Sequence, residues 1–136
     1  LMCRLYDTDM AEMAVNEDIT LLSFSPLACG MLTGKYQGGV VPEASRMSLG
    51  PQMGGRMTDR TLPIVQVYLD IAAKHGIDPV HMAMAWQRTR PFPISAIFGA
   101  TTSAQLSHLI AGDGVTLSAD VVADIDAAHR ANPMPF

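Results

Sequence analysis

The sequence predicts an α/β fold in which parallel strands are joined by right-handed helical crossovers. Two short apolar runs rich in β-branched residues, Ile19–Phe24 and Ile94–Phe98, each end in small residues. Between and after them lie segments with helical spacing and recognisable caps. Strands that alternate with helices in this way build a sheet with crossovers rather than hairpins. The unbroken apolar character of both runs predicts strands buried on both faces.

At 136 residues, with 49% hydrophobic and 16% charged side chains, the chain has the composition of a folded domain with a moderate core. The net charge of -4 comes without a basic cluster, Arg88 and Arg90 being the nearest approach to one, which argues against nucleic acid as a partner. Cys3 and Cys29 are far apart and read as reduced thiols, so a cytoplasmic location is expected. Ser25, Pro26 and Gly30 interrupt the apolar stretches well short of the ~20 residues a membrane helix needs, and no membrane partner is expected. The first residue is Leu1, with Met2 behind it, which fits a processed chain or a fragment.

In chain order, Asp7, Thr8 and Asp9 predict the capped start of a helix running to Asn16, with Met10, Met13 and Ala14 on one face. The Ile19 strand follows. Gln37–Arg60 lacks a sustained period and reads as an extended loop of functional length. Leu62, Val65, Leu69 and Ala72 define a helix over 61–75, stopped by Gly76. Asp78 and Pro79 supply the N-cap and first residue of the next helix, which carries Val80, Ala83 and Met84 toward Trp86. Thr102 and Gln105 stand at capping-box spacing behind the second strand, and Ser118 caps a last helix reaching His129. Two strands alone leave both sheet edges open, so the chain reads as part of something larger.

Two stretches carry chemistry. After the first strand, Ala28, Cys29, Gly30 and Gly34 let a ligand approach the backbone, with Ser25, Thr33 and Lys35 as donors. By itself that pattern reads first as a tight turn with a surface lysine. After the second strand, Gly99 and a helix N-terminus carrying Thr101 and Thr102 have phosphate-binding geometry, or form a plain capped helix. Arg46 could clamp a phosphate or sit solvated in its loop. The four histidines show no H-E-x-x-H or comparable spacing, so no metal site is expected.

Taken together, SPLACGMLTGKY (Ser25–Tyr36) and GATTSAQL (Gly99–Leu106) resemble the two cofactor-binding segments of the aldo-keto reductases, and the likeness extends over nearly the whole chain. The first segment is most similar to the branch holding the potassium-channel β subunits and related bacterial reductases. The resemblance implies a (β/α)8 barrel of which residues 1–136 are the C-terminal portion, too short to close the barrel alone. It also implies NADPH as cofactor and a small-molecule aldehyde or ketone as substrate. Carried over, Phe24 would stack on the nicotinamide; Ser25, Leu27 and Cys29 would line the pyrophosphate path; Lys35 would neutralise it. Arg46 would hold the adenosine side, and Gly99, Thr101 and Gln105 would cradle the 2′-phosphate and adenine. Where relatives often continue Gln-Leu-x-Glu-Asn, this chain has His108 and Leu109. The family's catalytic aspartate, tyrosine, lysine and histidine belong to the first half of the barrel, so no catalytic residue is expected here. Lys74 and His75 read as a solvated pair at a helix end. The alternatives are a non-catalytic NADPH-binding subunit like the channel β subunits, or an inert truncated product.

Overall fold

A computed structural model describes all of residues 1–136. Its centre is a layer of helices: α4 (Thr61–Lys74), α5 (Pro79–Gln87) and α7 (Ala119–Ala131). α4 presents Ile64, Val65, Tyr68, Ile71 and Ala72 inward, which is the 3.6-residue stripe of an amphipathic helix. Leu62 and Leu69, placed on that stripe by sequence, are only partly buried and sit at its margin. From α7, Val121, Ile125 and Ala128 face the same core. α5 buries Val80, Met82, Ala83, Ala85, Trp86 and Gln87, nearly all round its axis, because it lies between the other helices and the sheet. Its start follows the expected chemistry: the Asp78 carboxylate accepts from the amides of Val80 and His81, with Pro79 in the first turn.

Against this layer rests a sheet of two parallel strands, β1 (Leu21–Phe24) and β2 (Ile94–Ile97). The register pairs Leu21 with Ile94 and Phe24 with Ile97. Ser23 donates to the Gln87 side chain and so fastens β1 to α5. Burial alternates along both strands, contrary to the expectation of strands buried on both faces. Leu22 is 61% exposed, Phe24 70% and Ile97 52%. The helices cover one side of the pleat and nothing in the chain covers the other. The accessible surface, 7581 Å², exceeds the roughly 6,900 Å² of a typical folded chain of this mass, as an uncovered face requires.

The amino-terminal helix departs from expectation as well. It is two short pieces, α1 (Leu5–Asp9) and α2 (Ala11–Asn16), broken at Met10, and neither is capped by a side chain. Thr8 turns its hydroxyl back to the carbonyl of Leu5 instead, which competes with capping. What anchors this end is charge and an aromatic ring: Arg4 pairs with Asp126 at 2.7 Å and Arg90 with Asp7 at 2.9 Å. Both guanidinium groups lie over the buried Trp86 ring, 4.4 and 4.3 Å from its centroid.

The 37–60 segment is largely irregular, as expected, but it is folded onto the core. It includes the single turn α3 (Arg46–Leu49), capped by Ser45, and it buries Met47 and Met53. Thr61, fully buried, closes the segment by donating to the carbonyl of Arg56 and accepting from the amide of Thr58. Lys74 and His75 are not merely solvated, since both hold Asp124 of α7, at 2.7 and 2.6 Å.

Ile125→Ala should destabilise the chain by about 2–4 kcal/mol in denaturant unfolding, since a fully buried side chain leaves a cavity. The hydrogen bonds from Lys74 and then His75 hold the Asp124 carboxyl below its ordinary 3.8. Its contribution is therefore complete above that value and is lost as pH falls through the lower folded value. The stability advantage of wild type over Asp124→Asn should shrink on acidification, which melts at several pH values would read.

Candidate functional site

Because Phe24 lies opposite Ile97 in a parallel pair, the segments that follow both strands leave the same end of the sheet. Adjacent strands are ~4.8 Å apart, so the two candidate stretches start side by side. The first turns at once into left-handed backbone: Ser25, Ala28 and Cys29 have φ of 53°, 49° and 59°, followed by Gly30 at 86°. Three non-glycine residues in that region within five positions mark a strained loop, each costing of order 1 kcal/mol. The turn is held by the amide of Ala28 on the Ser25 carbonyl, and by Gly30 and Leu32 on the carbonyl of Leu27. Ala28, Met31, Leu32 and Tyr36 sink into the core and fix the loop from beneath. Lys35 folds back so that its Nζ would lie 3.4 Å from a Cβ on Gly30, and it sits over the Tyr36 ring. The lysine thus covers a bare stretch of backbone.

The second stretch leads from β2 into α6 (Ser103–Ala111). Thr102 caps it as expected, accepting from the amide of Gln105. Gln105 does not complete the capping box on Thr102. Its Oε1 accepts from both the amide and the hydroxyl of Thr101, each at 2.9 Å, because Thr101 offers two donors in one direction. The amides of Gly99, Ala100, Ser103 and Ala104 meet no acceptor within the chain and are exposed, the arrangement an anion would satisfy.

The structure gathers Phe24, Ser25, Leu27, Cys29 and Lys35 on one loop and Gly99, Thr101 and Gln105 on its neighbour. Arg46 is exposed on α3 without an ion pair or side-chain hydrogen bond. A different arginine reaches the site. Arg56 lies 5.8 Å from the Phe24 ring centroid and 6.0 Å from that of Phe136, with Nη1 4.0 Å from the Cys29 sulfur. The Cys29 thiol in turn points to the carbonyl of Met53. Sequence reading passed over Arg56, although the signal was present in the adjoining Met53-Gly54-Gly55. All three adopt positive φ and return the chain toward β1, and a Cβ on Gly54 would crowd Arg56 Nη1 at 3.2 Å.

A model of the Aldo/keto reductase family matches residues 1–130. The chain is 38% identical over 135 residues to Protein tas of Escherichia coli K12, covering 99% of this chain and 39% of that protein. It is 34% identical over 122 residues to a probable voltage-gated potassium channel subunit beta of Arabidopsis thaliana, covering 87% and 37%. Among solved structures, a glycerol dehydrogenase of Gluconobacter oxydans superposes with a TM-score of 0.71 at 21% identity, covering 96% of this chain and 40% of that one. That last likeness speaks for the fold. The chain therefore spans about two fifths of the length of the proteins it matches.

Gly30→Ala should cost about 1 kcal/mol or more, read in thermal or denaturant unfolding, since it combines a φ of +86° with a Cβ against Lys35.

Proposed function

The chain belongs to the aldo/keto reductase family, and from that membership we propose that residues 1–136 form the NADPH-binding portion of an oxidoreductase domain whose whole form reduces aldehydes or ketones. The observation that supports this most directly is the parallel register, which starts both family-like stretches at one sheet end. A long cofactor with two anionic groups, a pyrophosphate and a 2′-phosphate, suits this pair of loops. One has a lysine over exposed backbone and the other has unpaired amides at a helix start.

In this reading Phe24 offers its exposed ring to the nicotinamide, while Ser25, Leu27 and Cys29 line the path of the pyrophosphate and Lys35 neutralises it. Gly99, Thr101 and Gln105 hold the 2′-phosphate and adenine end. Thr101 would exchange its bonds to Gln105 for bonds to phosphate oxygens. Arg46 serves the adenosine side, and Arg56, from the position it occupies over Phe24, adds a cation at the nicotinamide end. NADPH, when bound, supplies the hydride. The chain's own residues position the ring and exclude water on that face. The proton donor of the whole reaction belongs to the portion of the family fold that precedes these residues.

Titration of the chain with NADPH and NADH by fluorescence or calorimetry tests this. Saturable binding is expected, with Lys35→Ala weakening NADPH and NADH alike, since both carry the pyrophosphate, and Arg46→Ala weakening NADPH by about tenfold and NADH by less. Equal losses for both cofactors would remove the 2′-phosphate role of Arg46, and no saturable binding would remove the site from this chain. No saturable carbonyl reduction is expected from the chain alone. The similarity to the plant protein named as a channel subunit supports a second reading, a cofactor-holding subunit without turnover. Reduction of an aldehyde by a whole-length relative-sized protein carrying this segment would decide for the enzyme.

A further inference from the structure

We propose that Asp78, His81 and His108 form a binding site for a divalent transition metal that clips α6 to the start of α5. Asp78 and His81 lie at the start of α5 and His108 lies late in α6, and each offers a ligand atom within 4.8 Å of the others. His108 Nε2 and Asp78 Oδ1 are 3.2 Å apart, close to the ~3.3 Å between two donors on one tetrahedral ion with 2.0–2.1 Å bonds. The ring centroids of His81 and His108 are 4.8 Å apart.

The second observation concerns the tautomer of His81. Its Nε2 lies 2.7 Å from the main-chain carbonyl of His108. A carbonyl only accepts, so in the neutral ring Nε2 carries the proton and Nδ1 holds the lone pair. A ring nitrogen anchored on a backbone carbonyl while the other stays free is the usual outer support of a metal-ligating histidine. The His81 ring also has a dedicated seat. A Cβ on Gly112 would come within 2.5 Å of it, and Gly112 has ordinary right-handed dihedrals. That glycine is needed for space rather than for backbone conformation.

Two imidazoles and one carboxylate suit Zn²⁺, Cu²⁺ or Ni²⁺ better than the oxygen-seeking Mg²⁺ or Ca²⁺. The half-exposed setting leaves remaining positions to solvent. The consequence would be mechanical. α6 buries only Leu109, so a metal clip would fix the helix whose opposite end carries Thr101 and Gln105.

The test is Zn²⁺ titration of the 136-residue chain by calorimetry in a non-chelating buffer, paired with thermal melts. One equivalent bound in the micromolar range is expected, with His81→Gln and His108→Gln each weakening it by about tenfold or more. Asp78→Asn keeps a good N-cap while removing the charge, so it should retain the fold by circular dichroism yet lose the Zn²⁺-dependent rise in Tm. His75→Gln, at the other histidine–aspartate pair, should bind as wild type. Binding weaker than millimolar, or wild-type affinity in the His81 and His108 variants, would overturn the site. Loss of binding in His75→Gln would move the site to Asp124.

Discussion

The parallel pairing of two four-residue strands is the constraint from which the rest of this molecule follows. Parallel strands cannot be joined by a turn, so the chain between them must cross back, and it does so through α4 and α5. That crossover is also the core. The same register that sets Phe24 beside Ile97 sends both family-like loops out of one sheet end, so the position of the core and the position of the candidate site are one decision rather than two. Ser23 on Gln87 then secures the sheet to the helix that supports it.

The loop after β1 shows how such a site is held. Its left-handed residues are costly in isolation and persist because Ala28, Met31, Leu32 and Tyr36 are locked into the helix layer below. The 37–60 segment supplies a second hold through Met53 and Cys29, with Thr61 tying down the backbone at Arg56. The strained backbone is thus presented upward by a well-packed base, and the cations stand above it. Rigid support beneath, charge above, is the arrangement expected where backbone must meet an anionic ligand.

Much of this was legible in the sequence because its signals are local. Asp78-Pro79, Thr102 and Ser118 announce helix starts through side chains that bond amides two or three residues away, and each does so. The strands were legible as strands and illegible as faces, since an apolar run says nothing of whether both sides are covered. The amino-terminal helix misled because Asp7 and Thr8 offered caps that other bonds claimed, Asp7 going to Arg90 and Thr8 to Leu5. Arg56, and the meeting of His81 with His108, depend on packing between segments far apart in the chain, where spacing rules have no reach. Gln105 illustrates the middle ground: right residue, right helix, and a partner one position away from the expected one.

The uncovered face of the sheet has a calorimetric consequence. The heat-capacity change of unfolding tracks apolar surface that moves from protein interior to water, at about 0.45 cal/mol/K for each Å². Leu22, Phe24 and Ile97 already face water, so they add little to that change when the chain opens. A chain of this length would thus have a flatter stability curve than its size suggests. Its response to cooling would be set almost wholly by the helix layer around Val65, Tyr68 and Ile125.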